Sequence, residues 1–151
     1  MSLVTTTHLN FGAGEARPAL EHYHRVFGGE LALTSYRELG MPADAPDAEK
    51  IVFGAVTSPD GFRVMAYDVP GGAGPVAASP TATRREHGAT LTERPFFVSL
   101  RADSLDAAQR AWDGLADGAT VIEPLAASAW SPGFGMLADR FGVTWVIDVA
   151  G

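Results

Sequence analysis

The second half of this 151-residue chain repeats the first half, and this duplication constrains the fold more than any other feature of the sequence. His8 and Phe97 each precede a large aromatic residue by 15 positions. The segment GFRVMAYDV, residues 61–69, aligns with FGVTWVIDV, residues 141–149, at an offset of 80. Because duplication is a fold-level signal, it predicts one domain, residues 1–151, built from two like modules with any ligand site between them.

Hydrophobic periodicity gives each module the same order of elements. Alternating apolar residues predict strands, and apolar residues every three or four positions predict helices. In the first module we expect strands at 5–11, 30–37, 49–57 and 62–69 and a helix at 15–27. In the second we expect strands at 94–101, 119–125, 133–139 and 143–149 and a helix at about 104–117. The prediction is an α+β fold of two βαβββ modules, residues 5–69 and 94–149, joined by a Gly/Pro-rich linker at 70–93.

Composition excludes several classes of protein. A net charge of −7 with a single lysine argues against binding to nucleic acid or to an anionic membrane, which needs clustered cations. There are no cysteines, hence no disulfides and no thiolate chemistry. No apolar run approaches the roughly 18–20 residues that cross a bilayer. The first residues, MSLVTTTH, lack the basic start and apolar stretch of a signal peptide, which predicts a cytoplasmic protein.

Three segments carry a resemblance to a known family. They are ALEHYHRVFGGE at 19–30, GFRVMAYDVPGG at 61–72 and, most specifically, WSPGFGMLADRFGVTWVIDV at 130–149. With the βαβββ repeat, they resemble the vicinal oxygen chelate superfamily of glyoxalase I, extradiol dioxygenases and bleomycin-resistance proteins, and within it the PhnB-like branch. The resemblance implies that the two sheets form an open cup with the helices on its outer face. It also implies a ligand held in the cup and pairing of subunits into a homodimer.

Strand alternation predicts which side chains line that cup, because successive side chains in a strand point to opposite faces. The residues expected to face the helices are Leu9, Phe11, Met65, Tyr67, Val69, Phe96, Val98, Leu100, Trp145, Ile147 and Val149. The residues expected to face the cup are His8, Asn10, Val64, Ala66, Asp68, Phe97, Ser99, Arg101, Thr144, Val146 and Asp148. The cup-facing set mixes polar and apolar side chains, as small-molecule sites do.

The resemblance also bears on metal binding. Metal-using members of the superfamily place one ligand on each of four strands, which by spacing correspond here to His8, Ala66, Phe97 and Val146. Only His8 among these four can bind a metal, whereas three protein ligands are the usual minimum for a catalytic divalent site. We therefore expect a protein that works without a metal or other cofactor. An atypical site built from His8, Asp68 and Asp148 stays open as an alternative.

The candidate ligand-binding residues combine polar and aromatic groups. Arg101 needs either a carboxylate partner, Asp68 or Asp148, or an anionic ligand, because a guanidinium on an apolar face is costly when unpaired. An aromatic wall is expected from Phe97, Trp130 and Phe134. The full candidate set is His8, Asn10, Asp68, Phe97, Ser99, Arg101, Trp130, Phe134 and Asp148.

Two function classes remain compatible with these residues. One is a binding protein that holds a small organic molecule, of planar, anionic or carbonyl-bearing type. The other is a metal-independent enzyme in which His8 acts as acid or base while Arg101 or Asn10 polarises a carbonyl. The sequence names no ligand and does not decide whether a reaction is catalysed.

Overall fold

A computed structural model describes residues 2–72 and 82–151 of the chain. The chain divides into two compact units, an N-terminal unit, Met1–Val76, and a C-terminal unit, Ala77–Gly151. Part of the predicted linker, residues 73–81, lies outside the described residues. Each unit has the predicted βαβββ order, so the α+β fold is confirmed.

The N-terminal unit is one four-stranded sheet with one helix. Its elements are β1 Thr7–Phe11, α1 Ala16–Phe27, β2 Glu30–Ser35, β3 Ile51–Thr57 and β4 Arg63–Asp68. The strand order in the sheet is β1-β4-β3-β2. The first pair, β1 with β4, is parallel, and the remaining pairs are antiparallel. The crossover through α1 makes the parallel pairing possible, since a hairpin cannot join parallel strands.

The C-terminal unit repeats this sheet, and a hairpin precedes it in the sequence. The hairpin strands are β5 Thr83–Glu86 and β6 Ala89–Thr92. The repeated elements are β7 Val98–Ala102, α2 Leu105–Ala116, β8 Thr120–Ala126, β9 Phe134–Ala138 and β10 Thr144–Val149. The strand order β7-β10-β9-β8 matches that of the first sheet, again with one parallel pair, β7 with β10.

Each helix packs closely on its sheet at a glycine of the third strand. A Cβ added at Gly54 would meet the side chain of Leu20 on α1, and one added at Gly135 would lie 2.7 Å from Cζ3 of Trp112 on α2. These two glycines therefore face the helices. Gly54 pairs with Ala66 and Gly135 with Ile147, so Ala66 and Ile147 lie on the helix side as well.

This register corrects the prediction for β4, which is wrong by one position. The residues facing α1 are Val64, Ala66 and Asp68, all at most 1% exposed, and not Met65 and Tyr67. The cause is the offset used to align the two modules. The strands β4 and β10, each six residues long, begin at Arg63 and Thr144, so corresponding residues are 81 positions apart and not 80. A one-residue slip moves every side chain of a strand to the other face.

The hairpin lies inside the segment predicted to be linker. Its two-residue loop is His87–Gly88, and both residues have positive φ, 51° and 77°. This combination is typical of a type I′ turn, whose twist matches that of the flanking strands. Glycine adopts such a φ without strain, which explains its place as the second loop residue.

Among the described residues, no helix is long and apolar enough to span a bilayer.

Candidate functional site

The parallel strand pairs of the two units place corresponding residues on the sheet face opposite each helix, here called the helix-free face. In the N-terminal unit Asn10 is adjacent to Tyr67. In the C-terminal unit Arg101 is adjacent to Asp148 at the same place in the ladder. Ser99, in the C-terminal unit, is by this ladder the counterpart of His8. The expectation that Phe97 is the repeat partner of His8 is therefore wrong, because β7 begins only at Val98.

His8 and Asn10 lie together on the helix-free face of the N-terminal unit, as predicted. The Nδ1 atom of His8 is 3.1 Å from Oδ1 of Asn10. The imidazole also packs edge-on against the ring of Tyr67, with ring centroids 5.4 Å apart. Both His8 and Asn10 are exposed. This cluster offers hydrogen-bonding groups on an ordered strand, which a ligand can reach without displacing the core.

The sequence prediction does not include Tyr67 and Tyr36 among the candidate site residues. The hydroxyl of Tyr36 donates to the backbone oxygen of Asp68 at 2.7 Å. Burial, followed by the nearby Tyr67 and Asp68, raises the pKa of Tyr36 above its ordinary value of 10.0, so this hydroxyl stays a donor. The error at Tyr67 follows from the slip in β4, because an aromatic residue at an alternating position was assigned to the core.

Asp68 is a structural residue, which corrects its prediction as a cup-facing and ligand-binding group. Its side chain is fully buried. Oδ1 accepts a hydrogen bond from the backbone N–H of Ala16 at 3.0 Å, and Oδ2 accepts one from Ile51 at 2.8 Å. The carboxylate thus binds the N-terminus of α1 and the start of β3, where unpaired N–H groups favour an anion. Asp68 lies on the opposite side of the sheet from His8, so these two residues cannot share a metal ion.

Arg101 has the carboxylate partner that its position requires, and that partner is Asp148. Nη2 of Arg101 donates to Oδ2 of Asp148 at 2.8 Å, and Nε approaches Oδ1 at 3.4 Å. The hydrogen bond and then the charge of Asp148 raise the pKa of Arg101 above its ordinary value. The Arg101 side chain is nevertheless 71% exposed, whereas that of Asp148 is 15% exposed. The guanidinium is therefore held in place at one edge while its remaining donors face solvent.

Three neighbouring strands form a row of side chains across the C-terminal helix-free face. Phe134 on β9 is the ladder partner of Asp148 on β10, which in turn is the partner of Arg101 on β7. Trp130 packs edge-on against Phe134, with centroids 5.3 Å apart, and is 61% exposed. The carboxylate of Asp148 thus lies on the strand between those of Phe134 and Arg101, and neighbouring strands are about 4.8 Å apart. This row, Phe134–Asp148–Arg101 with Trp130 beside it, is the candidate ligand site.

The β5–β6 hairpin packs on the same face, over Phe134 and Met136 of β9. The guanidinium of Arg85 lies 5.1 Å from the ring centroid of Phe134, and its Nη1 donates to Oγ1 of Thr90 at 2.9 Å. The Thr90 hydroxyl approaches Sδ of Met136 at 3.6 Å. Nε of Arg85 lies 3.8 Å from a carboxylate oxygen of Glu123 on β8. These contacts fix the ring of Phe134 between the hairpin and the sheet, and sequence reasoning found none of them.

Two further expectations concern the segment before β7. Phe96, predicted to lie under α2, is 59% exposed, because residues 94–97 precede the strand and its alternation does not extend to them. Phe97 is half-buried and outside the strand, and its place in the aromatic wall stays a prediction. Ser99 is exposed on the helix-free face beside Val146.

The side chains on the helix-free faces bear directly on metal binding. In the N-terminal unit the corrected neighbours of His8 and Asn10 on β4 are Met65 and Tyr67, and neither is a usual ligand of a divalent metal. Across residues 2–72 and 82–151, no group of three or more His, Cys, Asp or Glu side chains is arranged to hold a metal ion.

Comparison with protein families gives a match over most of the chain. Residues 5–147 match the model of the Glyoxalase/Bleomycin resistance protein/Dioxygenase superfamily. The curated protein YjdN of Escherichia coli K12 is 28% identical over 154 residues, an alignment that covers 94% of this chain and 92% of YjdN.

Solved structures give the same result at the level of the fold. Protein PA1353 of Pseudomonas aeruginosa has 30% sequence identity and a TM-score of 0.72, with 98% of each chain covered. A PhnB protein of Bacillus cereus, named as a putative 3-demethylubiquinone-9 3-methyltransferase, has 19% identity and a TM-score of 0.66. That match covers 97% of this chain and 98% of the other.

Proposed function

We propose that this chain, which belongs to the Glyoxalase/Bleomycin resistance protein/Dioxygenase superfamily, is a small-molecule-binding protein that works without a metal. The ligand is a planar organic molecule with an anionic or carbonyl group. The observation that carries the proposal is the row Phe134–Asp148–Arg101 with the exposed Trp130 beside it. The methyl transfer named for the Bacillus cereus protein is not part of the proposal, because at 19% identity that likeness shows the fold alone.

The chemistry of this row favours such a ligand. The exposed ring of Trp130, which packs against Phe134, offers apolar surface to a planar ring, and aromatic contacts contribute about 0.5–1.5 kcal/mol beyond the area buried. Arg101 has donors that Asp148 does not use, and a charge-assisted hydrogen bond to a ligand oxygen contributes roughly 1.5–3 kcal/mol. Because Asp148 already holds the guanidinium in one orientation, the ligand does not have to order it.

The metal-independent part of the proposal rests on the residues at the place of His8 in the two strand ladders. His8 pairs with Met65, and its counterpart Ser99 pairs with Val146, and none of these three other side chains is a usual ligand of a divalent ion. Elemental analysis of protein prepared without chelators tests this directly. One equivalent of zinc, iron, nickel or manganese that disappears in His8→Ala would contradict it.

Binding measurements with two arginine variants test the ligand site. We expect Arg101→Ala to weaken binding of planar carboxylates about 10- to 100-fold in calorimetry, at ~1.4 kcal/mol per decade. Arg110→Ala removes the same charge from the exposed surface of α2 and is the matched control, with unchanged affinity expected. Trp130→Ala should also weaken binding without lowering the melting temperature, since its side chain is exposed. Equal affinities in Arg101→Ala and Arg110→Ala would refute the assigned site.

A substitution of Asp148 gives a second test, in which the affinity for an anionic ligand should rise and not fall. In Asp148→Asn the guanidinium of Arg101 loses its charged partner, so an anionic ligand no longer competes with a neighbouring carboxylate. We expect tighter binding of a carboxylate probe and unchanged binding of a neutral carbonyl probe. Weaker binding of the carboxylate would show that the orientation of Arg101 by Asp148 outweighs the competition between the two carboxylates.

A second candidate function is a metal-independent enzyme of the same superfamily. The hydrogen bond between His8 and Asn10 favours it, because an oriented imidazole is what an acid or base needs. Turnover of a carbonyl-bearing substrate that is lost in His8→Phe would support it over simple binding.

A homodimer is also part of the proposal. β8 is an edge strand of the C-terminal sheet, and Val121 on it is 49% exposed. A second subunit can cover such an edge and its apolar side chains. Light scattering at micromolar concentration should give twice the chain mass of 15.8 kDa, and a monomer would refute the proposal.

A further inference from the structure

Two adjacent arginines of β5 point to opposite sides of the hairpin. The side chain of Arg84 is more than half exposed and pairs with Glu86 on its own strand. The side chain of Arg85 is only 14% exposed, because it points at the C-terminal sheet. Successive residues of a strand alternate in this way, so the hairpin presents the same residue type once to the sheet and once to solvent.

The guanidinium of Arg85 is incompletely satisfied by hydrogen bonds. Its Nη1 donates to Oγ1 of Thr90, but its Nε is buried and makes no hydrogen bond within residues 2–72 and 82–151. The carboxylate of Glu123 lies 3.8 Å from Nε, which is the distance of an ion pair and not of a hydrogen bond. Because a buried donor without an acceptor costs stability, these polar contacts do not explain an arginine at this position.

The remaining contact of Arg85 is with an aromatic ring of the ligand site. Its guanidinium lies over the ring of Phe134, with Cζ 5.1 Å from the centroid, so a ligand cannot stack on that surface. The ring of Phe134 in turn contacts Trp130 edge-on, with 67° between the two planes. Because Trp130 is 61% exposed and Phe134 is half-buried, the indole is the aromatic surface that a planar ligand can reach.

We propose that Arg85 is a positioning residue of the candidate ligand site and sets its preference for a flat ring. Arg85 holds Phe134 in place, Phe134 fixes the indole of Trp130 by the edge-on contact, and the ligand ring stacks on that indole. Arg101 binds the anionic group of the same ligand. The inference rests on the proposed small-molecule-binding function and adds which ring recognises the ligand and what orients that ring. All four residues belong to the C-terminal unit.

Fluorine NMR of protein labelled with 5-fluorotryptophan tests the positioning step without a ligand. The chain has three tryptophans, and Trp112 and Trp145 are internal controls because both lie on the helix side of the sheet. Trp130→Phe assigns the third signal. We expect Arg85→Ala to shift the signal of Trp130 and to leave the other two in place, and we expect Arg84→Ala to shift none. An unmoved Trp130 signal in Arg85→Ala would overturn the proposal.

Calorimetry with two carboxylates tests the preference for a flat ring. The probes are benzoate and cyclohexanecarboxylate, which carry the same anionic group for Arg101 but differ in planarity. We expect the wild-type protein to bind benzoate about 2- to 10-fold more tightly, the range of one aromatic contact. Arg85→Ala should remove most of this preference, and the control Arg84→Ala should keep it. Arg101→Ala should weaken both probes alike and leave their ratio unchanged.

A milder variant keeps the test decisive if Arg85→Ala loosens the hairpin as a whole. Thr90→Val keeps the branched shape of the side chain and removes the hydroxyl that accepts from Nη1 of Arg85. We expect this variant to lose part of the preference for benzoate while its melting temperature stays close to that of the wild-type protein.

The outcomes separate this inference from the function on which it rests. Equal affinity of the wild-type protein for the two probes, with binding still weakened by Arg101→Ala, would overturn the inference and leave the binding function standing. A preference for benzoate that survives in Arg85→Ala would do the same. Equal weakening of both probes in Arg85→Ala would show a purely structural role of this arginine and would also overturn the inference. Binding of neither probe would overturn both proposals.

Discussion

The two units have the same strand ladder but present different chemistry on it. Where the N-terminal unit places Asn10 beside Tyr67, the C-terminal unit places Arg101 beside Asp148. The first pair is neutral and supports His8, and the second is an ion pair next to an aromatic surface. Duplication has thus kept the backbone register while the helix-free faces diverged, as expected when function resides in side chains on a shared fold.

The helix N-termini differ in the same way. In the C-terminal unit the Ser104 side chain caps α2 locally, since its Oγ accepts from the backbone N–H of Ala107 at 3.2 Å. In the N-terminal unit Glu15 makes no side-chain cap, and Asp68, 52 residues away from Ala16, takes that role. A local cap stabilises one helix, whereas a distant carboxylate ties the helix to the sheet. The N-terminal unit should therefore depend more strongly on a single residue.

The largest expected effect tests this difference directly. Asp68→Ala leaves the buried N–H groups of Ala16 and Ile51 without their acceptor. At about 1–3 kcal/mol for each unsatisfied group, the variant should lose about 2–6 kcal/mol of unfolding free energy. Urea unfolding followed by circular dichroism measures the loss.

The matched variant is Ser104→Ala, which removes the local cap of α2. We expect a loss of only about 1 kcal/mol there. If Asp68→Ala proved no more destabilising than Ser104→Ala, the contrast between a tertiary and a local cap would be wrong.

Most of the fold could be predicted from the sequence because its signals are periodic and repeated. The strand faces of β1, β7 and β10 are as expected for His8, Asn10, Ser99, Arg101 and Asp148. The error in β4 arose because the carboxylate of Asp68 was taken to indicate the helix-free face. The doublets Asp68–Val69 and Asp148–Val149 invite alignment at 80, but one aspartate is buried by backbone donors and the other is paired with arginine. Alternation alone cannot distinguish a buried, satisfied carboxylate from an exposed one.

The hairpin was missed for a different reason. Its strands are only four residues long, and their polar sequence, TRRE and ATLT, has no strong alternation of apolar residues. The usable signal was the His87–Gly88 doublet, a two-residue loop that ends in glycine. Neither the position of Arg85 over Phe134 nor its contact with Thr90 can be predicted from this, because both depend on how the hairpin packs on the sheet.

The next prediction compares the two helix-facing glycines. Alanine at position 135 would place Cβ 2.9 Å from the backbone Cα of Leu125 as well as 2.7 Å from the ring of Trp112, so backbone as well as side chain would have to shift. Alanine at position 54 would meet mainly the end of the flexible Leu20 side chain. Overpacking of a core costs about 1–3 kcal/mol, and we expect Gly135→Ala at the upper end and Gly54→Ala at the lower.

Thermal unfolding of the two variants, with Gly151→Ala as a control in open space, measures this order. A larger loss for Gly54→Ala would show that the first unit is the more tightly packed at this contact.

The smallest expected effect is a difference in acid sensitivity. Hydrogen bonds from the backbone and side chain of Ser35 lower the pKa of Glu38 below its ordinary 4.5. A hydrogen bond from Lys50, and then one from the backbone of Gly71, lower the pKa of Asp47 below its ordinary 3.8. Both carboxylates belong to the N-terminal unit, whereas the resolved shift at Arg101 in the C-terminal unit is a raised pKa, which has no effect in acid.

A lowered folded pKa means that the unfolded chain takes up the proton first as the pH falls. The stabilisation from Glu38 and Asp47 is therefore complete above their ordinary values of 4.5 and 3.8 and is lost as the pH falls through the lower folded values. Because both groups are solvent-accessible, the effect is small and local. Hydrogen exchange between pH 6 and pH 3 should lose protection first around residues 35–50, and Glu38→Gln combined with Asp47→Asn should remove that acid step. Loss of protection in β7–β10 at a higher pH than in this loop would reverse the comparison between the units.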